Sequence, residues 1–181
     1  MLTVARRPAA VFRHRLLSGT ETQSANLRTK RSSQELTMIK GSCLCGGVKF
    51  EIRGSKGPFE LCHCNRCRKA TGSAFAAGLR VRGEDLRIVQ GQELIKTFEA
   101  PIIDAPPPYT NRFCGRCGSP VPVPSDDASW FEVPAGTLDD DPKIRPDKHI
   151  YIDFKSPWYS VGDGLPQMTK SQIHAYRRAV V

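Results

Sequence analysis

Seven cysteines fall in three tight groups, Cys43-x-Cys45, Cys62-x-Cys64-x-x-Cys67 and Cys114-x-x-Cys117, and this spacing constrains the chain more than any other feature. Seven is odd, whereas an oxidised secreted framework normally uses an even number. Arginines interrupt the apolar residues of VARRPAAVFRHRLLSG, so a secretory signal, which would direct the chain to a compartment where disulfides persist, is the least expected reading of this segment. Metal thiolate sites, with zinc as the expected ion, are the stronger reading.

In an extended backbone residues i and i+2 point the same way, so Cys43 and Cys45 are expected to present both sulfurs to one side. The glycine-containing turn Cys114-Gly115-Arg116-Cys117-Gly118 supplies a second pair. Joined, the pairs make a closed, structural four-cysteine site that ties the start of the domain to its middle. Cys62, Cys64 and Cys67 remain, and three protein ligands with a free fourth position are the pattern of a catalytic zinc. The alternative is a second closed site, its fourth ligand drawn from His63 or from an Asp, Glu or His elsewhere.

An extended backbone turns His63 to the side opposite its neighbouring cysteines. His149 opens an apolar alternating run and is a candidate hydrogen-bond donor behind the ligands. Arg66, Arg68, Lys69, Arg112 and Arg116 flank the thiolates and balance their charge. As a cluster, Arg66, Arg68 and Lys69 could also hold an anionic substrate by carboxylate pairing.

Beyond the cysteines the dominant period is two. Val48, Phe50 and Ile52 alternate with Lys49, Glu51 and Arg53, as in a strand with one buried face. Phe75, Ala77, Leu79 and Val81 repeat the pattern, and Gly83-Glu84-Asp85 offers a turn before Leu86 and Ile88, which predicts a hairpin. Further strands are expected over 94–99, 130–133 and 149–154, and a short helical turn over 65–70. APIIDAPPPYT reads as a loop because its prolines cannot donate to a sheet ladder. SQIHAYRRAV is a weak helical pattern. The residues alone therefore predict a mostly β domain with few short helices.

The domain organisation reads as a basic N-terminal segment over 1–37, a zinc-binding β domain over 38–168 and a C-terminal tail over 169–181. Residues 1–37 carry seven basic side chains against Glu21 and Glu35, a net +5 of the total +9, which leaves +4 for the other 144 residues. A body so weakly basic, with aromatics at 8% of the chain, argues against a nucleic-acid partner. The leading segment has the composition of a mitochondrial transit peptide, or it stands outside the folded domain, which then starts at Met38 in MIKGSCLCGG. Cytoplasmic and mitochondrial locations are the two expectations. No apolar run approaches the roughly 18 residues of a membrane helix, so no membrane partner is expected.

GSCLCGGVKFEI, LCHCNRCRKATGSAFAAGLRV, RFCGRCGSPV, AGTLDD and SPWYSVGDGLPQ, in that order and spacing over about residues 40–167, resemble the glutathione-dependent formaldehyde-activating (GFA) family. The resemblance implies an all-β fold of the β-tent type, with packed antiparallel sheets around the zinc sites and few short helices, two zinc ions and carbon-sulfur lyase chemistry. It implies that the structural ion takes Cys43, Cys45, Cys114 and Cys117 and the reactive one Cys62, Cys64 and Cys67, as ligands and not as nucleophiles. The partners it implies are a small thiol such as glutathione and an aldehyde, joined as S-(hydroxymethyl)glutathione. The competing reading is a non-enzymatic zinc-stabilised scaffold, because fold does not fix function.

Overall fold

Along β2 (Lys49–Ile52) Phe50 and Ile52 are buried while Lys49 is exposed, so the period of two in the sequence is the pleat of a sheet with one wet face. The computed structural model describes residues 38–54, 56–99, 109–124 and 129–180. Residues 1–37, and the prolines of the 101–108 stretch, lie outside the described residues.

Strand β1 (Ile39–Ser42) pairs antiparallel with β2, which pairs in turn with β5 (Leu86–Gln90). A five-stranded sheet has the order β10-β9-β3-β4-β8, built from β3 (Lys56–Cys62), β4 (Ala76–Arg82), β8 (Trp130–Pro134), β9 (Lys148–Ile150) and β10 (Gln167–Met168). A third pair joins β6 (Ile95–Glu99) to β7 (Thr110–Cys114). The fold is mostly β, as expected, with two short helices, α1 (Asn65–Thr71) and α2 (Lys170–Val180).

Ile39, Phe50 and Ile52 from the first sheet meet Leu79, Val81 and Val133 from the second in one buried cluster. Full burial of such side chains is worth about 1.5–3 kcal/mol each. Phe50 lies directly across from Gly41, and any Cβ at Gly41 would collide with its ring. Glycine there is what lets the aromatic ring lie flat between the sheets.

Three expectations are corrected. The stretches flanking Gly83–Asp85 do not form a hairpin, because β4 pairs with β3 and β8 whereas β5 pairs with β2. A single 3₁₀ turn passes the chain from one sheet to the other, so Val81 and Leu86 meet through the core instead of along a ladder. The sheets are not purely antiparallel, since β9 runs parallel to both β3 and β10. The run 149–154 is not one strand either: Tyr151 takes a left-handed conformation at φ 55°, and residues 152–154 form a 3₁₀ turn.

The C-terminal stretch folds as α2, whose Ile173 is fully buried beside Cys62 and Ile150. Its start is closed reciprocally: Thr169 N–H donates to Gln172 Oε1 at 2.8 Å and Gln172 N–H to Thr169 Oγ1 at 3.3 Å. That is a capping box, which satisfies helix donors that have no partner within the helix. Near the other end Arg177 reaches the buried Glu60 at 2.6 Å, and Lys148 lies 3.7 Å from the same carboxylate. Ile173→Ala is expected to lower stability by about 2–5 kcal/mol in denaturant titrations, since it removes a fully buried branched side chain.

Candidate metal centre

The turn that follows β1 brings Cys43 and Cys45 Sγ within 3.5 Å of each other, with Gly46 N–H closing on Cys43 O at 2.8 Å. This pair is therefore set by a turn and not by the extended backbone that spacing suggests, because β1 ends at Ser42. The second pair sits as expected in a glycine turn, with Gly118 N–H bonded to Cys114 O at 2.8 Å and Gly118 at φ 75°. Cys45 and Cys114 Sγ are 3.9 Å apart, and all four sulfurs lie within 4.8 Å of one another. A tetrahedral ion with metal–sulfur bonds of about 2.3 Å requires sulfurs separated by about 3.8 Å. These sulfurs fit such an ion and are too far apart for disulfides.

The surroundings favour thiolate at Cys43 and Cys117, whereas against a backbone N–H at Gly47 the neighbouring Cys43 sulfur raises Cys45 to about 11. Val48 N–H points at Cys43 Sγ from 3.2 Å. Against its burial, that N–H and the sulfurs of Cys45 and Cys114 hold the Cys43 thiol below its ordinary value. Cys117 is lowered to about 5, first by the Ser119 hydroxyl and then by the Ser119 backbone. Ser119 also accepts from Leu44 N–H at 3.0 Å, so one hydroxyl ties the two halves together.

The second cluster collects Cys62, Cys64 and Cys67, whose sulfurs also lie within 4.8 Å of one another. Cys62 ends β3, a central strand flanked by β4 and β9. Cys64 caps the start of α1, its sulfur accepting from Cys67 N–H at 3.4 Å, and Gly72 ends the helix at φ 65°. Hydrogen bonds from Cys62 and Cys67 pull the Cys64 thiol far down. The Cys64 sulfur in turn pushes Cys62 up to about 12, and Cys62 and Cys64 push Cys67 far above its ordinary value. Three sulfurs this close oppose one another's ionisation, and a cation among them would relieve that repulsion. No fourth His, Cys, Asp or Glu atom joins this group among the described residues.

His63 does not join the three sulfurs, as expected, and is fully buried. Its Nε2 lies 2.8 Å from His149 Nδ1, and His149 Nε2 lies 2.9 Å from Asp163. The carboxylate accepts from His149 Nε2–H, which leaves His149 Nδ1 to accept from His63 Nε2–H. His63 Nδ1 then has no hydrogen-bond partner among the described residues. The Ala74 backbone acts weakly to favour the charged ring, but burial and the neighbouring His149 dominate and lower the His63 pKa. His149 thus bonds His63 and Asp163 and no cysteine among the described residues, and Asp163 lies in the stretch SPWYSVGDGLPQ without a signal that singles it out.

Arg68 is a brace, not a substrate contact. Its guanidinium donates to His63 O at 3.3 Å, to Asn65 Oδ1 at 2.6 Å and to Ser156 Oγ. Arg66 and Lys69 instead line an open cavity of about 500 Å³ with Phe98 and Tyr109. A second cavity of about 260 Å³ is lined by Cys67, Tyr109, Arg112 and Glu132, and the two share Ala70, Tyr109 and Asn111. Burial and the Cys67 sulfur push the Tyr109 hydroxyl up to about 12, so it stays a donor. Trp158 is exposed and Tyr159 stacks near His63 and Phe75; neither lines these cavities.

A sequence profile described as glutathione-dependent formaldehyde-activating enzyme matches residues 38–154. The chain belongs to the GFA family. A relative from Halomonas elongata, provisionally named a glutathione-dependent formaldehyde-activating enzyme, is 31% identical over 152 residues, covering 76% of this chain and 95% of that protein. A crystal structure of a Rhodobacter sphaeroides protein aligns at a TM-score of 0.46 with 23% identity, covering 72% of this chain and 99% of that one.

Protein purified without oxygen is expected to hold two metal ions per chain by elemental analysis. Cys114→Ala should lose one ion and unfold the domain, because the ion is part of the folding free energy. Cys64→Ala should lose the other and keep a native circular dichroism spectrum.

Proposed function

We propose that this protein is a zinc-dependent carbon-sulfur lyase that forms or breaks a thiol-aldehyde adduct, with S-(hydroxymethyl)glutathione as the adduct its family description suggests. Cys43, Cys45, Cys114 and Cys117 hold a structural zinc; Cys62, Cys64 and Cys67 hold a reactive one. The observation that carries this reading is the three-sulfur cluster with Cys67 on a cavity wall and no fourth protein ligand among the described residues. A scaffold needs closed metal sites and no cavity beside one of them.

Zinc at the open site would lower the pKa of an incoming thiol and keep its sulfur as thiolate at neutral pH. The chain's own residues do the rest. Arg66 and Lys69 line the larger cavity and form no ion pair among the described residues, so they are available to the two carboxylates of a glutathione-like thiol. Phe98 and Tyr109 give that cavity an aromatic wall. The smaller cavity beside Cys67 receives the aldehyde carbon, with the Tyr109 hydroxyl as a donor to its oxygen.

Turnover of glutathione and formaldehyde, followed in both directions above the uncatalysed rate, tests the reading, and a rate equal to background would refute it. Replacing Arg66 and Lys69 together by Ala is expected to raise KM for glutathione about tenfold, equivalent to about 1.4 kcal/mol. KM for a neutral thiol such as 2-mercaptoethanol should stay unchanged.

A further inference from the structure

Thiol addition to an aldehyde leaves an alkoxide oxygen that needs a proton, and the metal ligands have none to give once they are thiolates. One carboxyl near them is built differently from its neighbour. Glu60 and Glu132 both belong to the five-stranded sheet, and the charge of Glu60 acts on Glu132. Glu60 is buried and takes Arg177 and Lys148 as partners. Glu132 has no hydrogen bond or ion pair among the described residues, and it lines the cavity that Cys67 also lines.

Its placement depends on a glycine. Gly78 on β4 lies beside the Glu132 side chain, and a Cβ there would collide with the carboxyl. The carboxyl therefore lies over bare backbone at the cavity wall, held by shape instead of by a charged partner. The groups that act on it are Glu60 from β3, Arg80 from β4, Arg177 from α2 and Cys64 at the start of α1. Tyr109 faces the same cavity and is affected by the charge of Glu132.

We infer that Glu132 is the acid–base residue of this cavity, an inference that rests on the thiol-aldehyde reading above. In the forward direction the thiol releases its proton to the medium and its sulfur electron pair forms the C–S bond. The carbonyl π pair moves onto oxygen, and Glu132 gives that oxygen its carboxyl proton. The carboxylate regains a proton from the medium, so thiol plus aldehyde becomes hydroxyalkyl thioether with nothing left over. In reverse Glu132 takes the hydroxyl proton, the carbonyl re-forms and the C–S pair returns to sulfur.

The electrostatics agree with the geometry. The side chain is open to the cavity, yet the surrounding protein thins the water around it; this desolvation and the charge of Glu60 outweigh Arg177 and Arg80 and raise its pKa above the ordinary 4.5. A raised carboxyl keeps its proton to higher pH, so the forward rate should fall as pH rises through that pKa.

The experiment uses the zinc-loaded full chain, wild type and Glu132→Gln, with glutathione and formaldehyde as substrates and ¹³C-glutamate labelling to follow the carboxyl. The expected result is a Glu132 carboxyl titrating above 4.5. With it, kcat/KM falls about 10²- to 10⁴-fold in the variant, the span of positioned acid–base groups. The alkaline fall in rate is lost, while metal content and glutathione affinity stay at wild-type values. Gly78→Ala, which displaces the carboxyl without removing it, should lower kcat while leaving the thiol KM in place. A variant as fast as wild type, or a carboxyl titrating at or below 4.5, overturns the inference alone. Wild-type turnover no faster than background overturns the reaction reading and this inference with it.

Discussion

Everything in this fold answers to crowded sulfur. Two negative charges about 4 Å apart repel by about 4 kcal/mol at the effective dielectric near a protein surface. Groups of four and three sulfurs, each within 4.8 Å, therefore hold full thiolate charge only around a cation. The structure accepts that condition and arranges its elements to meet it. A turn after β1 and a turn after β7 face each other, Ser119 links them, and Val48 offers its N–H to the buried Cys43.

The two clusters differ in how they are framed, and the difference follows from topology. The four-cysteine group is assembled from two turns, with buried Cys43 and Cys114 packed among Val48 and Val121. The three-cysteine group is assembled from the end of a central strand and the first turn of a short helix. A strand end between two neighbours is rigid, and a helix start presents its side chains outward into the adjoining space. The first arrangement offers four sulfurs that could surround an ion, and the second leaves one side to the cavities shared by Tyr109 and Asn111.

The division of the cysteines into four and three was legible because spacing of one or two residues already limits where sulfurs can go. Strand positions were legible from alternation, but their partners were not. Val81 and Leu86 flank an apparent hairpin turn, and only the core reveals that they belong to different sheets. Thr169 and Gln172 carried a readable helix start ahead of a pattern too polar to announce a helix by itself. Glu132 and Asp163 were invisible for a physical reason. Glu132, at an outward strand position, looks like any solvated side chain until a cavity is placed beside it, and Asp163, outside any strand, does so until a distant histidine meets it. Arg68 shows the converse, a cation that looked like surface charge but is spent on backbone and side-chain oxygens.

The sequence order of the sulfurs has a consequence for biosynthesis. As the chain leaves the ribosome, Cys43, Cys45, Cys62, Cys64 and Cys67 are all made before Cys114 and Cys117. Over that interval the nascent polypeptide presents five thiols, and the first pair has no correct companions. An ion captured early by Cys43 and Cys45 would have only water or the sulfurs of residues 62–67 to complete its shell. Under the allotment proposed above, the four-sulfur site can close only after Cys117 has emerged.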